Sequence, residues 1–327
     1  MLQYIAQRVV SIIPTLILIA VVGFIIMELP PGDYLTWYIQ QLESQGHSGA
    51  REQVMVLRAR YALDRPAYWR FGNWVVHLVQ GDFGYSFFYN RPVRDLIGER
   101  LAMTAVLAIT SMIITWGIGI TVGVYSATHQ YSFGDHLFTG LAFLGLGIPN
   151  FLLALVFLLL GLKLFNSVPL GLFSTQFQDA PWSLAKLMDL FKHLWIPAGI
   201  VALSGTAGLI RVMRGNLLDT LNQAYVQVAR AKGVSERVVV WKYAVRTAIH
   251  PLVMSLGMSL PGIVSGSEIT GIVLNLPTTG PLYLQALRRQ DMYLGGTMLI
   301  LIAVMLVIGN LLADILLLWV DPRVRYD

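Results

Sequence analysis

Six apolar runs divide the 327-residue chain, and polar intervals of very unequal length separate them. The first run, residues 9–27, holds 19 uncharged residues behind Arg8. Signal-peptide cores are roughly 7–15 residues long and end at a small-residue cleavage site. This run is longer and leads into Glu28-Leu29-Pro30-Pro31-Gly32-Asp33, so it predicts a retained membrane-spanning helix that tolerates Pro14 or kinks there. Residues 101–125 are an uncharged second span in which Gly119-x3-Gly123 permits a close helix contact. Residues 137–162 form a third, interrupted by Gly145, Gly147, Pro149 and Asn150. Such a break is tolerated at membrane depth only where protein or a cavity covers the freed backbone groups; the plainer reading is a proline kink. Residues 194–210 are short and rich in Ala, Gly and Ser, which predicts a buried fourth span. The fifth, 250–276, is broken by Pro251, Gly257, Pro261, Gly262 and Gly266 and carries Glu268; the sixth, 294–320, carries Asn310 and Asp314.

The polar intervals differ in kind. Residues 31–98 are polar enough to be wet and hold Trp37, Tyr38, Trp69, Trp74, Tyr85 and Tyr89. Residues 54–62 look helical, and 69–79 predict an amphipathic helix at the membrane interface, where aromatic side chains concentrate. This is the largest extramembrane segment. It reads equally as a docking place for an outer partner and as a folded cap over the helices. Residues 166–193, with Pro169, Pro181 and Trp182, form a second exterior loop.

The interval 219–251 is more organised. Leu221, Ala224, Tyr225, Val228 and the stem of Lys232 recur at helical spacing and predict one apolar stripe. Lys232 suits the negative end of that helix, and Gly233 the left-handed residue after it. Ser235 can cap a second helix, with Glu236 in its first turn. Helix, glycine corner, helix is the expectation, and a loop built that way is a docking element rather than a tether.

Composition sharpens this picture. The chain is 56% apolar and 13% charged, against about 25% charged in ordinary soluble proteins. Mean hydropathy is +0.64. These values predict a polytopic membrane protein, with a single domain over residues 1–327. The absence of cysteine excludes disulfide and thiolate chemistry. A formal charge of +5 raises the question of nucleic acid, but the basic residues sort by side. Residues 211–246 hold seven Lys and Arg, and the tail holds Arg323 and Arg325. The exterior loops hold only Lys186 and Lys192, and Arg288 and Arg289. The long 31–98 segment escapes the rule because of its length. Six spans therefore place both termini and 211–249 in the cytoplasm. The basic surplus is a topology signal, and no nucleic-acid partner is expected.

Chemistry-bearing motifs are missing. No phosphate loop and no Gly-Lys pair occurs, so the chain is not expected to hydrolyse nucleotide itself. The six His are scattered, no metal-ligand spacing stands out, and no nucleophile elbow is present. No catalytic or metal site is expected. An ionisable group at membrane depth is a functional candidate by default, which singles out Glu268; a hydrogen bond to a neighbouring helix would also account for it. Asp314 reads as a packing or topology residue, and Asn150 and Asn310 as interhelix hydrogen-bonding groups.

The chain resembles the permease subunits of ATP-binding-cassette importers, in the dipeptide, oligopeptide and nickel branch. The similarity runs through Pro31-Gly32-Asp33, then Tyr61-Ala62-Leu63-Asp64-Arg65-Pro66, then Gly81-Asp82-Phe83-Gly84-Tyr85-Ser86 and Arg91-Pro92-Val93. It is strongest over Tyr225-Val226-Gln227-Val228-Ala229-Arg230-Ala231-Lys232-Gly233-Val234-Ser235-Glu236-Arg237, followed by the ending that runs from Asp314 through Trp319-Val320-Asp321-Pro322-Arg323-Val324-Arg325-Tyr326. The resemblance implies an all-α type I importer permease fold of about six spans in a bacterial inner membrane. It implies that Tyr225, Ala229, Arg230, Ala231, Lys232, Gly233, Ser235, Glu236 and Arg237 couple to the ATPase. Pro149, Asn150, Pro261 and Glu268 become candidates for the translocation path or its gate.

Implied partners are a second related permease, two ATP-binding subunits that hold the ATP, an exterior solute-binding protein and membrane lipid. No cofactor of the chain's own is implied. Against the general importer signature, Gln227 and Val228 replace Glu and Ala, and the trailing proline is postponed to Pro251. Gly271 stands where the peptide branch carries Glu, and Leu274-Asn275-Leu276-Pro277-Thr278-Thr279-Gly280 is atypical. The resemblance makes di- or oligopeptides the first expectation for cargo, and these departures keep oligosaccharides, opines and nickel chelates open. A self-sufficient ion-coupled carrier or channel using Glu268 and Asp314 is the rival from another class.

Overall fold

Backbone groups in a bilayer must be satisfied within the chain, and helices answer that requirement almost everywhere here. A computed structural model describes residues 2–28, 64–86, 88–166, 170–253 and 267–320. In chain order these form α1 (Leu2–Glu28), α2 (Ala67–Val79), a two-stranded hairpin of β1 (Tyr85–Ser86) and β2 (Arg91–Pro92), and α3 (Val93–Thr128). They continue with α4 (Phe133–Gly147), α5 (Asn150–Phe165), a 3-10 turn at Thr175–Phe177, α6 (Leu184–Leu221) and α7 (Ala224–Ala231). A run of α8 (Glu236–Val238), π-helical π1 (Val239–Ala244) and α9 (Val245–Ala248) follows, then α10 (Thr279–Arg288) and α11 (Met292–Val320). Residues 267–273 are also helical. The stretches 31–63 and 254–266, with the helix-like 54–62 and Pro261, lie outside the described residues.

Among the described residues, α3, α6 and Met292–Leu311 of α11 are long and apolar enough to cross a membrane. The pair α4 and α5 makes a fourth crossing or re-entrant loop, and Ile13–Ile25 of α1 is a shorter apolar stretch. Pro14 is accommodated inside α1. The third apolar run is not a simple kink: α4 and α5 meet at 105° across Ile148 and Pro149.

The fourth run differs most from its sequence expectation. Rather than a short span over 194–210, α6 runs for 38 residues, with Pro197 inside it. At about 1.5 Å per residue that is about 57 Å, nearly twice a hydrocarbon core. Three of the charges on this helix, Lys186, Asp189 and Arg214, do not end it because each finds a partner. Lys186 Nζ donates to the Ala180 carbonyl at 2.7 Å and the Gln178 carbonyl at 3.3 Å, and lies over the rings of Phe173 and Trp182. Asp189 accepts from Ser174 N at 2.7 Å and Ser174 Oγ at 2.6 Å. Arg214 donates from Nε and Nη2 to the two oxygens of Asp135 at 3.1 and 3.0 Å. Such bidentate pairs fix direction as well as distance.

The chain divides into two compact units, residues 1–102 with 278–307, and 103–277 with 308–327. In the second, the close contact that Gly119 and Gly123 permit is made by α3 with α6. A Cβ on Gly119 would lie 2.3 Å from Leu209 Cδ2, and one on Gly123 would lie 2.7 Å from Met213 Cβ. α4 packs along α6, and Ser132 caps α4 by accepting from Asp135 N at 3.1 Å.

In the first unit, α2 buries Trp74 against Phe24 of α1 beside Phe71, and Arg70 pairs with Glu28 at 2.5 Å. Tyr68, Trp69 and Val79 face outward, so α2 is the amphipathic helix expected over 69–79. The hairpin is tied to the start of α11 by Asp291, which is 1% exposed. Its carboxylate accepts from Ser86 Oγ at 2.6 Å, Phe88 N at 3.1 Å and Leu294 N at 3.3 Å, the last capping α11. Tyr89 Oη bonds Gln285 of α10, and burial raises the pKa of that hydroxyl.

Asp291→Ala leaves these donors without their acceptor and removes a helix cap, so it is expected to cost about 3 kcal/mol. The check is the thermal unfolding midpoint of the purified chain in detergent. Adding Ser86→Ala should cause little further loss, because the two share one interaction. An unchanged midpoint in Asp291→Ala would show that the clamp is not a stabilising feature.

Candidate functional site

The polar interval between the fourth and fifth runs folds onto the end of α6. That helix stops at Leu221 because Asn222 and Gln223 turn the chain: Gln223 N bonds the Thr220 carbonyl at 3.0 Å, and Asn222 Nδ2 bonds the Leu218 carbonyl at 3.1 Å. α7 then starts afresh at Ala224, and Gln227 Nε2 reaches back to the Leu221 carbonyl at 3.1 Å.

This restart shifts the buried face from the one the sequence pattern predicts. Val226 and Ala229 are buried, in a cluster with Val124 of α3, Met213 and Leu217 of α6, and Val239, Ala244 and Ala248. Tyr225 and Val228, expected on the packed stripe, are 43% and 52% exposed. The expectation carries Leu221's helical phase into α7. The turn at Asn222–Gln223 breaks that phase, so the same short helix buries one apolar pair and displays another.

The corner after α7 follows the expectation closely. Lys232 is the C-cap and Gly233 has φ +73°. Gly233 N bonds the Arg230 carbonyl at 2.9 Å and Val234 N bonds the Ala229 carbonyl at 3.3 Å, the paired bonds of a Schellman ending. A Cβ on Gly233 would meet nothing within 4 Å, so glycine serves the left-handed backbone and not a tight contact. Val234 packs onto the cluster that holds Val226 and Ala229.

Ser235 departs from expectation in one respect. It stands at the N-cap of α8, but its side chain makes no cap bond; its carbonyl accepts from Val238 N and Val239 N. Glu236 is in the first turn as expected, but its carboxylate turns back across the corner to Arg230. Arg230 Nη2 and Nε donate to its two oxygens at 2.6 and 3.1 Å. The Arg230 hydrogen bond holds the Glu236 carboxyl below the ordinary range, against a smaller opposing effect of desolvation, and Glu236 raises Arg230 in return. With a lowered folded pKa, the pair's contribution is complete at neutral pH, above the ordinary carboxylate value, and fades only as acid protonates Glu236.

Beyond Glu236 the helix widens into π1. The wider turn lets Val239, Val240, Ala244, Val245 and Ala248 all reach the buried cluster, while Val238, Trp241 and Tyr243 stay outside. Two further bonds close the element: Tyr225 Oη to Thr247 Oγ1 at 3.1 Å, and Asn216 Nδ2 to the Ala248 carbonyl at 3.3 Å. Ala231, Lys232 and Arg237 lie around the corner, Lys232 and Arg237 exposed and Ala231 exposed beside them. The predicted coupling residues thus lie together in one helix–corner–helix element with an apolar and basic outer surface.

The other candidates are not joined to one another by a hydrogen bond among the described residues. Pro149 is the N-cap of α5 and Asn150 its first residue, at the 105° bend. Glu268 lies on the helical stretch 267–273. Asn150 Oδ1 and Glu268 Oε1 are both buried without a hydrogen-bond partner among the described residues. Pro261 lies outside those residues. Asn310 is exposed on α11, and Asp314 lies further along the same helix.

Two clusters escape sequence reasoning. Asp291 stands just before the last apolar run, where an N-cap is signalled, and Ser86 closes the Gly81–Ser86 motif; nothing local links residues 205 apart. Asp135 and Arg214 look in the sequence like loop charges. Among the described residues, no group of three or more His, Cys, Asp or Glu could hold a metal ion.

Comparison with known proteins agrees with this architecture. Residues 119–326 match the model of the family described as binding-protein-dependent transport system inner membrane component. The oligopeptide transport system permease protein AppB of Bacillus subtilis is 36% identical over 327 residues, covering 100% of both chains. The glutathione transport system permease protein GsiC of Salmonella typhimurium is 30% identical over 326 residues, again covering 100% of both. The chain belongs to this family: it is a multi-pass inner-membrane permease subunit of an ATP-binding-cassette importer of the peptide and nickel type.

Proposed function

We propose that this permease moves small peptides and that the projection from Tyr225 to Arg237 receives the driving force from two ATP-binding partner subunits. The observation that carries the coupling assignment is the projection's build. It is seated on α6 through Val226 and Ala229, locked by the Gly233 corner, and displays Tyr225, Val228 and Trp241 outward. An element that must transmit displacement has to be stiff and attached to what it moves, and this one is both. Exposed large apolar side chains on a cytoplasmic projection also favour a protein partner over water.

In this reading the ATP stays with the partner subunits, and the chain needs no cofactor. Nucleotide-driven closure of those subunits carries the projection, and α6 with it, between two arrangements of the bundle. A second related permease completes the solute path, and an exterior binding protein delivers the solute. Peptides are favoured because full-length relatives carry oligopeptide and glutathione transport names. The bend at Pro149–Asn150, Pro261 and Glu268 are assigned to the path or its gate. Asn150 and Glu268 support this with buried oxygens that lack a partner among the described residues, which suits groups that meet solute or water in another state.

Gly233→Asp places a side chain on a backbone at φ +73°, which strains the corner, and adds a negative charge beside Glu236. It is expected to abolish uptake while the chain still inserts and assembles. Uptake by cells expressing the full importer, with pull-down of both permeases, is the check; unchanged uptake would refute the coupling assignment. For the cargo, the purified cognate binding protein should bind tripeptides and discharge them to the reconstituted importer. Selective binding of an oligosaccharide or a nickel chelate instead would overturn the peptide assignment.

A further inference from the structure

We propose that Arg230 and Glu236 are positioning residues that set the angle between the two arms of the projection, and that neither makes its main contact with the ATPase partner. This rests on the coupling reading above and deepens it. Two residues of backbone separate the arms, and the apolar seam on which both rest is non-directional, so together these leave the angle partly open. The Schellman bonds fix the chain as far as Val234, and α8 begins at Glu236, so Val234 and Ser235 lie between two helices. The Ser235 side chain, which would otherwise fasten the second arm, makes no cap bond.

The Arg230–Glu236 fork spans that gap from the last turn of one arm to the first turn of the next. A planar guanidinium on both oxygens of one carboxylate defines an orientation, which a single-point contact does not. Tyr225–Thr247 is a second strut between the same arms, at their far ends. Both members of the ion pair are solvent-accessible, so the pair adds little to stability. Its geometry serves instead to keep the second arm in register when load is applied through the first.

A role in orientation and a role in touching the partner make opposite demands on charge. A strut needs opposite charges facing each other and is indifferent to which end carries which. A contact with the partner needs a particular sign at a particular place. Reversing either charge alone breaks both arrangements, whereas exchanging the two restores only the strut.

The absence of cysteine gives a clean readout, since Leu184→Cys, at the exposed first residue of α6, carries a single fluorescent label far along the helix from the corner. The whole importer is reconstituted in nanodiscs with both permeases and both ATP-binding subunits. The change in label emission on adding ATP and vanadate is measured beside the steady ATP hydrolysis rate.

Arg230→Glu and Glu236→Arg should each lower the ATP-shifted population ratio about two- to fivefold, the range an exposed ion pair can supply. The exchange Arg230→Glu with Glu236→Arg should restore the response to near that of the unmodified pair. High salt should weaken the unmodified response and leave the Arg230→Gln, Glu236→Gln variant unaffected. An exchange variant as impaired as the single reversals would overturn the proposal and assign the two charges to the partner contact. Single reversals without effect, beside a Gly233→Asp variant that fails, would also overturn it and leave the coupling reading standing. If Gly233→Asp also responds normally, the coupling reading itself falls.

Discussion

The seam that seats α7 and the π-helical arm on α6 is the contact on which the other features rest. Val226 and Ala229 from one arm, and Val239, Ala244 and Ala248 from the other, close over Met213 and Leu217 with Val124 of α3. Burial of this kind is non-directional and contributes roughly 1.5–3 kcal/mol for each large side chain fully removed from water. It makes the projection and the C-terminal end of α6 one packed body. Under the proposed coupling, a push on the projection would pass to α6, because close-packed contacts do not deform continuously. The exposed face of α7 is free for a partner only because the other face is already committed.

Neighbouring segments neutralise much of the charge along α6. A helix of 38 residues that carries Lys186, Asp189, Arg211 and Arg214 would be a poor membrane span if those groups were left to themselves. Lys186, Asp189 and Arg214 are each satisfied by a neighbouring segment: the 174–182 loop for the first two and the first turn of α4 for the third. One continuous rod can then serve the membrane core and both of its edges. The Asp135–Arg214 fork also fastens the start of the bent α4–α5 pair to that rod.

Much of this is legible in the sequence. The second, fourth and sixth apolar runs announce α3, α6 and α11, Gly119 and Gly123 announce a close helix contact, and Lys232-Gly233 announces the corner. These signals are local and have one physical meaning each: length, absence of a Cβ, or freedom at positive φ. The burial of Val226 in place of Tyr225 is not legible, because the phase of α7 is set by a turn that the end of α6 imposes. The extent of α6 is hidden for a related reason: charged residues argue for a loop until their partners are known, and those partners lie in other segments. Glu236 shows the limit most plainly. Its place in a first turn is readable, but its engagement with Arg230 depends on the corner that brings them face to face. The π-helical stretch gives no sign in the pattern at all.

If the projection is the entry point for driving force, the outward face of α7 must meet an ATP-binding subunit in the cytoplasm. Because the chain has no cysteine, Val228→Cys can carry a single photoreactive group at a residue 52% exposed on that face. In the assembled importer, with purified ATP-binding subunits present, illumination is predicted to join the two polypeptides in high yield. A membrane-impermeant thiol reagent added from the exterior should leave Val228→Cys unmodified. Absence of the adduct, or modification from the exterior, would contradict the assignment of this face to the ATPase contact.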